Sequence, residues 1–235
     1  MSAVDKVLHT IKCNIMSKTN IEKNAPKGDV KFSLSLTEEQ KAAKSKILET
    51  PINFLIGQAG TGKTLVAVQI ALDMFFKRLI NKIIITRPTI STEENGFLPG
   101  SLSEKMEPWL VPIRSNMQKV YAKPEILEKM EQSHDIELVS LSHFRGRTFD
   151  NAVCIVDEFQ NLTKSQLQMC LGRLGKDSKI IFTGDSQQID LRPRDFSAVH
   201  DIFKIENSQY VSKIILKENH RHEALEEIFK LLNEY

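Results

Sequence analysis

What the 235 residues lack narrows the choice first. No apolar stretch approaches the roughly 20 residues that a membrane-spanning helix needs, because Lys, Arg, Asn or Asp interrupts every one. The opening MSAVDKVLHTIKCN has no long apolar core ahead of a small-residue cleavage site, so no secretory leader and no membrane contact are expected, and the expected location is the cytoplasm. Cysteine is scarce. Cys13, Cys154 and Cys170 are odd in number and form no CxxC pair, which argues against a disulfide scaffold or a zinc site and fits reduced thiols. The six His stand at no metal-ligand spacing with them; His220 and His222 read as polar surface or interface residues. Excess charge is also missing, since 32 Lys and Arg against 30 Asp and Glu leave a net +2. That balance makes no case for nucleic acid, so any basic surface has to be local. There is no internal repeat and no low-complexity tract.

What is present is a chain long enough for a full core, 41% hydrophobic, and of one-domain length. Residues 1–35 carry six Lys, no sustained apolar period and an Ala25-Pro26-Lys27-Gly28 breaker, and read as a loosely held arm. From residue 36 to 235 the pattern is that of one α/β domain. Strands are expected at Ile52–Ile56, Ile83–Thr86, Ile136–Val139, Ala152–Val156, Lys179–Thr183 and Val211–Leu216. Helices are expected at Lys63–Ile80, Leu102–Tyr121, Thr163–Leu174, Phe196–Ile205 and His222–Asn233. Alternation of this kind predicts a mostly parallel sheet with helices on both faces. Pro108 and Pro112 argue against Leu102–Tyr121 forming one continuous helix. Phe75, Phe76 and Met169 read as core residues.

Gly57-Gln58-Ala59-Gly60-Thr61-Gly62-Lys63-Thr64 fits GxxxxGK[ST], after the apolar strand INFLI and before the helical pattern LVAVQIALDMFF. Glycines there let successive N–H groups turn inward onto phosphate oxygens, helped by the positive end of the helix that follows. Lys63 supplies a cation for the β and γ phosphates, and Thr64 a hydroxyl for Mg2+. About 95 residues after this loop, Val153-Cys154-Ile155-Val156-Asp157-Glu158 places two carboxylates at the end of an apolar run. Asp157 is expected to hold the metal's water shell and Glu158 to polarise the attacking water, although acidic residues also simply favour a helix start. Thr183-Gly184-Asp185-Ser186-Gln187-Gln188 follows a third strand. Asp185 and Gln188 are candidates there for sensing the γ-phosphate, beside the plainer reading of an ordinary turn. Leu36-Thr37-Glu38-Glu39-Gln40 fits a capping box, and the Gln40 amide could equally read an adenine edge.

These elements resemble the first RecA-like domain of superfamily-one helicases and, more closely, the PhoH family of phosphate-starvation-inducible ATPases. The likeness is carried by GQAGTGKT, ITRP at 85–88, GFLPGSLSEKMEPWLVPI at 96–113, FRGRT at 144–148, IVDEFQN at 155–161, GDSQQIDL at 184–191 and NHRH at 219–222. It spans roughly residues 36–235. It implies a RecA-like P-loop fold, ATP binding and hydrolysis with Mg2+, and a role in RNA or other nucleic-acid metabolism. Two positions depart from the family pattern: Phe159 stands where Ala is usual, and ENHRH stands where the family reads closer to DVVRH.

Arg87, Arg114, Arg145, Arg147, Arg192, Arg194 and Arg221 are candidates for phosphate contact, since guanidinium meets phosphate bidentately. Arg87 follows a strand end and should project over the carboxyl edge of the sheet, where open α/β folds bind ligands. Arg145-Gly146-Arg147 sets two cations around a hinge. Arg221 matches the Arg of the late family segment. A single RecA-like lobe lacks the opposing cation that speeds phosphoryl transfer. The expectation is therefore a homo-oligomer, a hexameric ring in the sense of the resemblance, with Arg221 donated by a neighbouring copy. Two functions stay open: an ATPase acting on RNA or single-stranded DNA, and an ATP-switched binding or assembly module. A small-molecule kinase is weaker, because neither lid nor acceptor site is evident.

Overall fold

The computed structural model describes residues 30–88, 102–191, 193–221, 224 and 228. Most of the expected N-terminal arm, Arg192 and the helix expected at His222–Asn233 fall outside the described residues. Six strands form one sheet: β1 (Ile52–Gly57), β2 (Lys82–Thr86), β3 (Ile136–Leu138), β4 (Ala152–Asp157), β5 (Lys179–Gly184) and β6 (Val211–Leu216). Their order is β3-β2-β4-β5-β1-β6, and every neighbouring pair is parallel. The central strands β4 and β5 are buried along their whole length, as continuous apolar strands covered on both faces must be. The fold is thus the α/β parallel-sheet architecture that the strand–helix alternation predicts.

Among the described residues up to Leu216, six α-helices flank the strands. They are α1 (Glu38–Glu49), α2 (Lys63–Phe76), α3 (Leu102–Val120), α4 (Pro124–Gln132), α5 (Lys164–Leu171) and α6 (Val199–Lys204). One face of the sheet is closed by α1 to α4, around Ile47, Ile70, Phe76, Met117 and Leu127. The other is closed by α5, α6 and short 3-10 turns, around Phe54, Phe159, Phe182, Leu167 and Ile202. Phe75 and Phe76 lie in the core as expected, while Met169 is only partly buried against it.

Three helices, α3, α4 and α2, depart most from the sequence expectation. α3 runs unbroken through Pro108 and Pro112, although an interior proline costs about 3 kcal/mol. Its C-terminal half buries Ile113, Met117 and Val120, with Tyr121 just beyond. At about 1.5–3 kcal/mol for each fully buried large side chain, that packing outweighs both prolines. The sequence reading marks no helix at α4, yet Pro124 sits in its first turn, where proline's missing N–H costs nothing. Leu127 and Met130, three apart, turn its buried face inward. α2 stops at Phe76, short of the expected Ile80, where Arg78 takes a left-handed φ of 58°. No helix among the described residues is long and apolar enough to cross a membrane.

Sheet register decides where the motifs meet. Asp157 pairs with Thr183, and Ile56 with Gly184. The carboxyl ends of β1, β5 and β4 therefore stand side by side, with β5 between the strand of the Gly-rich loop and the strand of the paired carboxylates.

Candidate nucleotide site

Beyond β1 the chain curls into a loop closed by Gly62, the left-handed N-cap of α2. Gly60 has a φ of 100°, and a Cβ there would lie 2.5 Å from Asn219 Oδ1 and 2.7 Å from Arg221 Cγ. Only glycine meets both conditions. Lys63 Nζ donates to the Gln58 carbonyl (2.9 Å), across the loop that should carry phosphate. Burial lowers its pKa, against the opposing pull of Asp185, Glu158 and Asp157, while Arg221 adds to the lowering.

Thr64 Oγ1, at the start of α2, donates to Asp157 Oδ1 (2.7 Å), and Thr183 Oγ1 donates to the same oxygen (2.6 Å). A hydroxyl and a carboxylate converging beside the Gly-rich loop form a hard-oxygen donor set of the kind Mg2+ takes beside phosphates. The residues present thus fit a magnesium–triphosphate pair.

Glu158 stands next to this pair in a left-handed backbone conformation, φ 56°, which costs a non-glycine residue on the order of 1–3 kcal/mol and typifies functional sites. Two side chains hold its carboxylate: Gln160 Nε2 donates to Oε2 (2.6 Å), and Arg87 Nη2 lies 3.5 Å from Oε1. The same Gln160 accepts the Asp185 N–H (3.2 Å), and Asp185 Oδ2 accepts the Ala59 N–H of the loop (3.2 Å). One amide therefore ties the two strand-end acids together, and Asp185 ties them to the loop. Behind it, Phe159 is fully buried and packs edge-on to Phe54 at 6.0 Å. The Phe that departs from the family pattern thus fills space behind the carboxylates and leaves their positions to the backbone. Gly184 makes room for this packing, since a Cβ there would meet Gln160 Oε1 at 2.4 Å.

Gln40 does what the capping box requires: its Oε1 accepts the Thr37 N–H (3.2 Å), while Thr37 Oγ1 accepts the Gln40 N–H (3.4 Å). Its Nε2 meets the Thr61 carbonyl and His220 Nε2, both at 3.2 Å. His220 N–H in turn donates to the Gly60 carbonyl (3.1 Å). The segment 219–221 therefore lies over the loop of its own chain, and Arg221 lines the same cleft as Lys63. That is the position the sequence reading assigned to a neighbouring copy.

The cleft is about 660 Å³ and gathers Gln40, Ala59, Gly60, Gly62, Lys63, Thr64, Asp157, Glu158, Asp185, Gln188 and Arg221. Arg87 reaches it through Glu158. Arg145 and Arg147 are not brought to it. Arg147 is committed to Glu137 (2.6 Å) and stacks over Phe149, and Arg145 lines a separate groove with Arg173. Arg114 pairs with Glu131 between α3 and α4. Gln160, Thr183, Asn219 and His220 were not picked out as site residues. Gln160 and Thr183 sit within motifs that were, but their partners are set by sheet register, which spacing does not reveal.

A Gly-rich loop between a buried parallel strand and a helix, facing a Thr–Asp pair from the neighbouring strand ends, defines a P-loop nucleotide-binding protein. Residues 34–233 match the family described as PhoH-like protein, and the chain belongs to that family. It is 38% identical over 203 residues to a PhoH-like protein of Mycobacterium leprae, covering 85% of this chain and 58% of that one. It is 41% identical over 177 residues to one of Bacillus subtilis, covering 75% and 54%. Against Protein PhoH of Escherichia coli K12 the identity is 36% over 160 residues, covering 64% and 42%. The chain spans about half the length of these curated relatives. Among solved structures it is similar to the Pif1 helicase from Candida albicans (TM-score 0.45, 17% identity, 85% of this chain and 44% of that chain).

Proposed function

We propose that the chain is a magnesium-dependent ATPase whose hydrolysis is coupled to RNA or single-stranded DNA. The observation that carries the ATPase reading is Glu158, held in a strained conformation by Gln160 and Arg87 beside the Thr64–Asp157 pair. In this reading the loop N–H groups from Gly60 to Thr64 and the Lys63 ammonium bind the β and γ phosphates. Thr64 and Asp157 hold Mg2+, which when bound neutralises phosphate charge. Glu158 orients the attacking water and takes up its proton, its basic oxygen fixed by Gln160. Asp185 and Gln188, beyond β5, register whether the terminal phosphate is present. Arg221 supplies positive charge from over the loop.

The nucleic-acid part rests on a groove of about 580 Å³ at the same carboxyl edge of the sheet. The exposed Arg145 lines it with Arg173 and the exposed hydroxyl side chains of Ser142 and Ser165, groups of the kind that contact phosphate backbones. A homo-oligomeric ring belongs to the proposal as well, because Gln188 and Arg221 stand exposed at the rim of the cleft, where a neighbouring copy can reach them.

The test is ATP turnover with and without RNA or single-stranded DNA, on the wild type, Lys63→Ala and Glu158→Gln. The expected result is stimulation that weakens with salt, no turnover and little nucleotide binding in Lys63→Ala, and binding with turnover reduced at least a hundredfold in Glu158→Gln. Normal turnover in Lys63→Ala would end the ATPase reading. A response flat to nucleic acid would favour an ATP-switched assembly module.

A further inference from the structure

The groove that carries Arg145 and Arg173 has groups for phosphate, but among the described residues that line it there is no aromatic ring to meet a base. One wall is the first turn of α5. There the Thr163 and Ser165 hydroxyls share a hydrogen bond (3.1 Å), and Gln166 Oε1 accepts the Thr163 N–H (2.8 Å). Thr163 in turn forms an antiparallel bridge with Ser197. That bridge brings the short turn Arg194–Phe196 alongside the groove, and Phe196, at its end, leaves 61% of its surface exposed.

The backbone that presents this ring is fixed. Ser197 Oγ donates to the Gln160 carbonyl (2.6 Å), and the Ala198 N–H donates to the Leu162 carbonyl (2.7 Å). Upstream, Asn161 Nδ2 donates to Asp190 Oδ2 (3.2 Å) and Asn161 Oδ1 accepts the Asp190 N–H (2.9 Å). Ser197 and Ala198 are buried. A ring on so firm a support loses little freedom when something covers it.

One exposed apolar side chain is ordinary on a protein surface, so its surroundings decide what it is for. Arg194, His200 and Lys164 are exposed near it, and the groove adds Arg145 and Arg173. The other exposed aromatic side chains among the described residues, Phe203 and Tyr210, lie towards the amino ends of the strands, where Tyr210 accepts from Ile52 and Lys213 of β6 stands over Phe203. Phe196 is therefore not part of an apolar patch of the kind that protein partners cover. A lone aromatic face beside cations suits a single strand of nucleic acid, whose phosphates take the charges while a base of any sequence stacks on the ring.

We infer that Phe196 is a base-stacking platform for a single strand whose phosphates run along the Arg145–Arg173 groove. This rests on the nucleic-acid reading above and adds to it the contact made by a base.

Equilibrium binding of fluorescein-labelled oligo(U) and oligo(dT) to the full chain tests it, with the wild type, Phe196→Ala, Phe196→Trp and Arg145→Ala. Because the ring is exposed, Phe196→Ala should keep the wild-type Tm. It should bind whichever oligomer the wild type binds about tenfold more weakly, the share of one stacked base, with the salt dependence unchanged. Arg145→Ala should instead lower the salt slope by about 1. Phe196→Trp should keep its affinity, and the strand should quench its fluorescence beyond any change from Trp109, the chain's one tryptophan. An abasic strand, which carries the phosphates without bases, should bind the wild type and Phe196→Ala alike. Unaltered oligomer affinity in Phe196→Ala would overturn the inference, and so would an equal loss for the abasic strand. A change confined to assembly state, seen by light scattering, would make the ring a contact between copies; the platform would fall while the nucleic-acid reading stood. If the wild type bound neither oligomer, that reading would fall, and the platform with it.

Discussion

Single side chains in this protein are set against their ordinary chemistry at two places, one at each end of the sheet. At the carboxyl end, Glu158 accepts a left-handed backbone because Gln160, Arg87 and the turn Phe159–Asn161 hold it there. At the amino end, Lys179 opens β5 with only 8% of its surface exposed. Its ammonium donates to the Thr50 carbonyl and to that of Leu48 (3.3 Å), at the C-terminus of α1. Burial pulls its pKa down from 10.5 to about 8. Between pH 8 and 10 the native state has given up this proton while the unfolded chain still binds it, so this group makes stability rise with pH. The buried thiols of Cys154 and Cys170, both pushed up to about 12, act in the opposite direction over part of this window. Comparison with Lys179→Met cancels that shared contribution. Chemical denaturation should show the wild type gaining on the variant by about 1 kcal/mol per pH unit from pH 8 to 10. A constant difference would mean that Lys179 titrates at its ordinary value.

Helix α1 shows how one element serves both stability and the site. Its capping box is legible in Thr37-Glu38-Glu39-Gln40, and both reciprocal bonds are formed. The sequence left Gln40 with two readings, a cap or a reader of adenine. The structure shows the cap and adds a third role, because Nε2 reaches the Thr61 carbonyl of the phosphate loop and touches His220 in the segment that covers it. Replacing Gln40 by Ala should cost about 1 kcal/mol through the cap, or roughly 2–4 °C in Tm for a domain of this size. The same change should weaken tripolyphosphate binding, because the loop loses its brace. A lowered Tm with unaltered tripolyphosphate affinity would confine Gln40 to capping. Helix α3 makes the complementary point: two prolines predict a break, and the burial of Ile113, Met117 and Val120 overrides them.

At the scale of the whole molecule, a single parallel-sheet lobe brings its loop, its acids and the segment 219–221 to one cleft. Arg221 was expected to act across an interface between copies, yet here it packs against Gly60 of its own chain. Mixing Lys63→Ala with Arg221→Ala decides between the two arrangements. If Arg221 serves the cleft it lines, every mixed assembly has a defect in each site, and the mixture should stay as inactive as its components. Recovery of a measurable fraction of wild-type ATPase activity would show that Arg221 is donated by a neighbour.

The sequence by itself determined whatever depends on neighbours along the chain. GxxxxGK[ST] between an apolar strand and a helix gives the phosphate loop, Thr37 and Gln40 give the α1 cap, and strand–helix alternation gives a parallel sheet. These are short-range signals, because glycine conformations, caps and apolar periods are set within a few residues. Only the tertiary structure decided which of the candidate arginines reach the loop. Arg147 could not be told from Arg221 by residue type, and it was an ion pair with Glu137 across β3 that took it away. Sheet order likewise brought Thr183 onto Asp157 and Gln160 between Glu158 and Asp185. Each of these contacts joins groups from different strands, turns or helices, and whether they meet depends on register and burial across the whole sheet, which no local pattern encodes.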